Sequence, residues 1–217
     1  MKPYYQDDAV TIYHGDSREI LPALEKMDLV MTDPPYGINE NGAKSKTRGN
    51  FSRNSRALAA PRNYGNFSWD KNPIDAKLME AVLAAGKWAC VWGGNYYLMQ
   101  PSSSWLIWDK ENGENNFADA EMAWTNWPTA VRLKRHLWNG MLRKGKEPRH
   151  HPTQKPLDVI AWAISLAPAS ETILDPFMGS GTTLRAAKNL KKRAVGIEQE
   201  EKYCEIAAER MAQEVLI

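Results

Sequence analysis

A chain of 217 residues, 43% of them hydrophobic, holds enough apolar material for one α/β core, and nothing along it marks an internal repeat or a second domain. The formal net charge of +2 is too small to imply a nucleic-acid partner by itself, so where the charges lie matters more than their sum. Two cysteines, Cys90 and Cys204, support neither a disulfide framework nor a metal cluster, and the absence of an 18-residue apolar run or a signal peptide points away from membranes and to the cytoplasm.

The first elements alternate between strand and helix. AVTIYHGD reads as a strand ending at Asp16, SREILPALEK as a helix, and MDLVMTD as a second strand. That strand runs straight into DPPYG at 33–37. Each proline fixes its own φ and lacks an N–H, and a residue before proline is pushed towards extended geometry, so the Asp33-Pro34-Pro35 backbone is stiff. The Asp33 carboxylate and the Pro34 carbonyl then form a rigid acceptor pair, suited to a planar exocyclic amine whose two N–H bonds point in fixed directions. Tyr36 is placed to stack on the ring that carries the amine. An isolated DPP also fits a plain strand-end turn, but a chance DPPY in a chain of this length is expected with a probability on the order of one in a thousand at average residue usage.

No acid occurs between Asn41 and Ser68, where Lys44, Lys46, Arg48, Arg53, Arg56 and Arg62 interleave with Phe51, Tyr64 and Phe67. Without sustained periodicity this stretch reads as a long basic loop, suited to closing on a polyanion. PIDAKLMEAVLAAG is an amphipathic helix with Ile74, Leu78, Val82 and Leu83 near one face, and WACVWGG is the next strand. SSSWLIWDK and the segment from FADAEMAW to AVRLKRHLW read as closing strands that include an antiparallel pair. A second basic cluster follows: Arg132, Lys134, Arg135, Arg143, Lys144, Lys146 and Arg149, with Glu147 the one acid among them. Phosphate contacts from such residues give salt-dependent affinity without sequence preference, although a solvated basic face has the same composition. Trp105, Trp108, Trp124, Trp127 and Trp138 crowd the same region, as core residues or as aromatic wedges against a planar ring.

PLDVIAWAISLA forms a helix that leads into ETILDPFMGSGTTLRAAKNL. Here a short apolar strand ends in a turn containing Gly179 and Gly181, and a helix opens near Thr182 and Thr183. Glycines admit close approach of the backbone to a ligand, and the free N–H groups of a helix N-terminus suit a carboxylate. The pattern is not a phosphate-binding GxxxxGK[ST], because the lysine is missing, and GxG alone is weak evidence for a dinucleotide. The next strand, RAVGIEQEE, ends at Glu198, where a parallel-sheet site places an acid against ribose hydroxyls; an acid heading the helix EKYCEIAAERM is the simpler alternative.

These residues resemble the S-adenosylmethionine-dependent amino-methyltransferases of DNA, in particular the N6-adenine enzymes of the β arrangement, in which the DPPY segment precedes the FxGxG segment. The resemblance covers most of the chain. It rests on DPPYG, DPFMGSGTT, IYHGDSREIL, HPTQKP at 151–156 and AVGIEQEEKYCEIAAERM. VWGGNYY, WLIWDKENGENNFADAEMAW and HLWNGM add a likeness to short phage- and prophage-type members, some of which serve restriction-modification. The resemblance implies a single-domain, circularly permuted Rossmann-like methyltransferase fold, α/β, with a mostly parallel sheet and helices on both faces. Its catalytic half would be 1–100, its DNA-contacting middle 101–150 and its cofactor half 151–217.

S-adenosylmethionine is the implied cofactor. Asp175, Phe177, Gly179, Gly181, Thr182 and Thr183 would surround its methionine part, Glu198 its ribose, and Asp16 with Ser17 in HGDS its adenine end. Thr153, Gln154 and Lys155 would lie near its carboxylate, and His151 is as readily structural as functional. Asp33, Pro34, Pro35 and Tyr36 would hold a flipped adenine. A carboxylate with an ordinary pKa near ~3.9 cannot deprotonate a neutral aromatic amine, so catalysis would be positioning and electrostatics without a metal. Duplex DNA is the implied partner. Family members often pair as homodimers, a state the sequence leaves open, and work in a prokaryotic or phage-infected cell. Two other readings stand beside this one: a cytosine-N4 methyltransferase, where the family more often has Ser at position 33, and a silent DNA- or cofactor-binding protein, against which the intact Asp33, Tyr36 and glycine turn argue.

Overall fold

A computed structural model of the protein describes residues 1–38, 72–112, 118–138, 148 and 153–213. Within them the strands are β1 (Tyr5–Gln6), β2 (Val10–His14), β3 (Met27–Thr32), β4 (Gly86–Trp92), β5 (Trp105–Asp109), β6 (Ala120–Thr125), β7 (Arg132–Arg135), β8 (Thr172–Asp175) and β9 (Arg193–Glu198). They form one sheet in the order β1-β2-β9-β8-β3-β4-β6-β5-β7. From β2 across to β4 every neighbour is parallel. β6 pairs antiparallel with β4 and β5, which gives the closing antiparallel pair that the sequence predicts. β1 was not legible, because a two-residue strand carries no periodicity.

The order explains how two motifs 142 positions apart come together. Strands β8 and β9 from the end of the chain insert between β2 and β3 from its beginning, so β3 and β8 lie side by side with Leu29 opposite Ile173 and Val30 opposite Leu174. Asp28 pins this register at the amino end. Its carboxylate accepts the Glu171 N–H, the Thr172 N–H and the Thr172 hydroxyl, each at 2.9 Å.

Side chains alternate along each strand, so the sheet feeds two cores. Leu29, Met31, Cys90, Trp92 and Ile173 meet α3 (Leu157–Leu166), α4 (Thr182–Asn189) and α5 (Glu201–Ala212) on one face. Val30, Ala89, Val91 and Leu174 meet α1 (Ser17–Ile20) and α2 (Ala76–Ala84) on the other. Full burial of each such side chain contributes about 1.5–3 kcal/mol, so this alternation sets the register, and both motifs follow at the carboxyl ends of their strands. Asp75 starts α2 by accepting the Leu78 N–H at 2.8 Å, and the helix buries Leu78, Met79 and Val82. The helix expected through SREILPALEK stops at Ile20 and tightens into a 3₁₀ turn over Leu21–Ala23. Pro22 has no N–H to continue the ladder.

Four of the five tryptophans of the middle segment are core residues, and Trp105 is half-buried against the core. Trp108, Trp124, Trp127 and Trp138 are buried, and the indoles of Trp108 and Trp124 donate to the His136 and Gln100 carbonyls at 2.9 and 2.7 Å. Cys90 and Cys204 are buried and unbridged. No helix among the described residues is long and apolar enough to cross a membrane.

Candidate active site

β3 ends at Thr32 and β8 at Asp175, and because the strands are adjacent and parallel, both motifs open on the same edge of the sheet. Between them lies a cleft of about 290 Å³. Asp33 and Pro35 of the first motif line it, as do Asp175, Phe177, Gly179, Thr182 and Thr183 of the second. Asp16, Ser17, Thr153, Gln154, Lys155 and Glu198 complete the walls. Of the residues singled out in the sequence, Pro34 is buried beneath the turn, while Tyr36 and Gly181 act behind the surface.

Gly181 occupies the left-handed region at φ 77° and heads α4. A Cβ there would lie 2.9 Å from the Ala207 Cβ, so glycine is required both by conformation and by the close approach of α5. The turn is braced from behind by a residue that sequence reasoning missed. The guanidinium of Arg210, buried on α5, donates to the Ser180 carbonyl at 2.5 Å and to the Thr182 hydroxyl at 3.3 Å. Its position inside an amphipathic helix resembles any solvated arginine in sequence, and only the packing of α5 against α4 reveals it. In front, Ser180 Oγ lies 3.5 Å from Gln154 Oε1. The Ser17 hydroxyl donates to the Pro176 carbonyl at 2.5 Å, tying HGDS to DPF.

Burial holds three acids of the cleft, Asp33, Asp175 and Glu198, above the usual carboxylate range. Burial pushes Glu198 up to about 7, although its carboxylate accepts the Gly179 N–H at 3.0 Å and the Glu200 N–H at 2.8 Å. Burial likewise pushes Asp175 up to about 6, against hydrogen bonds from the Thr32 hydroxyl at 2.9 Å and the Phe177 N–H at 3.1 Å. Such acids fit a ligand that brings a cationic amine and ribose hydroxyls into the cleft. Asp16 also caps α1, accepting the Arg18 N–H at 2.8 Å.

Around the first motif the turn is packed tightly. Tyr36 stacks on Tyr96 with ring centroids 4.7 Å apart and planes inclined by 14°, so one of its faces is covered. Its hydroxyl donates to Asp33 Oδ1, and the Tyr97 hydroxyl donates to the Pro35 carbonyl. Lys155, which the resemblance placed near a cofactor carboxylate, has its ammonium in contact with Asp33 Oδ2 and 3.2 Å from both Tyr36 Oη and Glu121 Oε2. Glu121 carried no assignment from the sequence. The signal for it was an acid in the apolar strand FADAEMAW, on the side of β6 that alternation turns towards Trp92 and Trp108.

Of the expected DNA contacts, Lys44, Lys46, Arg48, Arg53, Arg56, Arg143 and Lys144 lie outside the described residues, as does His151. Arg132, Lys134 and Arg135 are on β7 at the edge of the sheet. Lys134 pairs with Asp158 at 3.0 Å and Arg135 with Asp109 at 3.3 Å, so these two already have acidic partners within the protein.

The permuted parallel sheet and a cleft that joins a stiff acidic turn to a glycine turn define an α/β methyltransferase. A family model described as DNA methylase, covering the N6 and N4 enzymes, matches residues 98–209, and the chain belongs to that family. It is 29% identical over 255 residues to the type II methyltransferase M.HinfI of Haemophilus influenzae, an alignment that spans 97% of this chain and 70% of the relative. Among solved structures, the M1.HpyAVI complex with S-adenosylmethionine superposes with a TM-score of 0.58 at 25% identity, covering 94% of this chain and all of the other. The cytosine-N4-specific PvuII methyltransferase shares the fold with a TM-score of 0.62 at 17% identity, covering 100% of this chain and 91% of the other.

Proposed function

We infer that the protein transfers a methyl group from S-adenosylmethionine to the N6 amine of adenine in duplex DNA. One observation carries this reading: the Asp33 carboxylate and the Asp175 and Glu198 carboxylates face a single cleft. When bound, the cofactor supplies a methyl carbon on a positively charged sulfur. Glu198 would accept the ribose hydroxyls, Asp175 would face the cationic end, and the N–H groups at the start of α4 would meet the carboxylate.

The target base must leave the duplex, since its amine is otherwise paired. Each oxygen of Asp33 has a second acceptor position beyond those used by Tyr36 and Lys155, so the carboxylate can receive one amine N–H, while the Pro34 carbonyl would receive the other once the base is bound. Two acceptors fixed on a stiff backbone draw the amine hydrogens into the plane they define and leave the nitrogen lone pair aimed across the cleft. The methylated nitrogen is acidic, so a carboxylate suffices to receive its proton. An aspartate at position 33, where the N4 enzymes of the family more often carry serine, favours adenine over cytosine. Asp33→Ala is expected to abolish transfer of labelled methyl groups to duplex DNA while calorimetry shows cofactor binding unchanged; undiminished transfer in that variant would overturn the assignment.

A further inference from the structure

The mechanism above uses Asp33 but leaves three charged neighbours without a task. Lys155 is 6% exposed, and its ammonium touches Asp33 on one side and Glu121 on the other. The second oxygen of Glu121 is in contact with the Lys110 ammonium, which in turn lies 5.0 Å from the centre of the Trp108 ring. The row Lys110, Glu121, Lys155, Asp33 therefore alternates in charge from the partly exposed side of β5 to the acceptor of the amine. A lone ammonium this buried is costly, and pairing it on both sides offsets that cost. Its rotamer is fixed as well, since it sits 5.5 Å over the Trp92 ring and 5.7 Å over that of Tyr36.

We propose that Glu121 clamps the Lys155 ammonium against Asp33, so that both act as positioning residues for the carboxylate that receives the target amine. This rests on the reading of Asp33 given under Proposed function. The ammonium that Glu121 holds in place answers a specific difficulty. A carboxylate in a cleft that excludes water tends to take up a proton, and a protonated Asp33 would present an O–H towards the amine hydrogens. Burial does hold Asp33 above the usual carboxylate range, with Lys155 pulling in the opposite direction and Glu121 adding to the rise. Glu121 itself, despite its own burial, is brought down to about 2 by Lys155 and Lys110, so it remains a permanent anion behind the ammonium. The other ionisable groups that face this row are Tyr36 and Tyr97, Asp175 on β8 and the Cys90 thiol on β4. Burial raises Tyr36 and Cys90, so those two stay neutral in the working range.

The test compares Lys155→Met and Glu121→Gln with the wild type, measuring S-adenosylmethionine affinity by calorimetry and the single-turnover rate of methyl transfer to unmodified duplex genomic DNA across pH. In Lys155→Met the clamp predicts unchanged cofactor affinity, a rate lowered roughly 100-fold near neutral pH, and an acid limb moved to higher pH, because Asp33 has lost its cation. In Glu121→Gln it predicts unchanged cofactor affinity, a rate lowered about tenfold, and an acid limb moved to lower pH, because a neighbouring anion is gone. If Lys155→Met fails to fold, Glu121→Gln, which keeps the shape, decides the matter, and Lys155→Arg should retain more activity than any neutral replacement. Weaker cofactor binding with an unmoved acid limb in either variant would overturn the proposal and return Lys155 to the cofactor carboxylate. A wild-type protein that methylates no DNA would instead refute the function itself.

Discussion

Replacing Gly93 by alanine should disturb the Asp33–Tyr36 turn, and with it the proposed chemistry, from a position outside both motifs. Gly93 follows β4 at φ 66°, where a residue with a Cβ costs about 1–2 kcal/mol. Its backbone cannot easily relax, since its N–H donates to the Met122 carbonyl at 2.8 Å and its carbonyl accepts the Tyr96 N–H at 2.9 Å. The new methyl would lie 2.1 Å from Cε1 and 2.4 Å from Cζ of Tyr36, well inside contact distance. The ring must therefore move. It is held by the stack on Tyr96, worth about 0.5–1.5 kcal/mol, and by hydrogen bonds to the charged groups of Asp33 and Lys155, worth about 1.5–3 kcal/mol each. Allowing for partial relaxation, the loss of stability is about 2–4 kcal/mol, which lowers the melting temperature on the order of 10 °C. A displaced Tyr36 misplaces Asp33 and the base, and a shift of about 1 Å lowers the transfer rate roughly 100-fold. Calorimetric melting and single-turnover transfer measure both effects, with cofactor affinity as the control that should not change. Adding Tyr36→Ala should relieve the steric part of the destabilisation. Wild-type melting and turnover in Gly93→Ala would refute this account of how Tyr36 is held.

The raised acids make cofactor binding pH-dependent. A ligand that needs Glu198 ionised must expel a proton below about pH 7, and below about pH 6 Asp175 adds a second. Affinity measured by calorimetry should therefore fall by about tenfold per pH unit below 7, more steeply below 6; a flat profile from pH 5 to 8 would contradict these roles. The linkage runs the other way for the ligand-free fold. Both folded-state values lie above the unfolded ones, so the fold holds protons that the unfolded chain releases, and stability should decline as pH rises from the carboxylate range through about 7. Arg210→Met removes the brace behind the glycine turn, where charged hydrogen bonds are worth about 1.5–3 kcal/mol. It should weaken cofactor binding by about tenfold or more while leaving DNA affinity, measured by filter binding, unchanged.

Both motifs could be read directly because proline stiffness and glycine permissiveness are properties of the local chain, and local chemistry is what a sequence displays. The same holds for the strands around Leu29 and Ile173, whose apolar runs need no partner to be recognised. What the sequence did not display depends on sheet order. Glu121 enters the site because β6 pairs with β4 rather than continuing in chain order, and Arg210 does so because α5 packs across α4. Lys155 shows the limit most clearly. The resemblance put it near a cofactor carboxylate, whereas its ammonium meets Asp33 and also Glu121, which is 34 positions away in sequence and 3.2 Å away in space.

The chemistry itself is tested most directly by digesting duplex DNA to nucleosides after incubation with the protein and S-adenosylmethionine, then identifying the methylated base by mass spectrometry. The arrangement of Asp33, Pro34 and Tyr36 predicts N6-methyladenine from the wild type and none from Asp33→Ala. N4-methylcytosine as the product, or no methylated base at all, would contradict it.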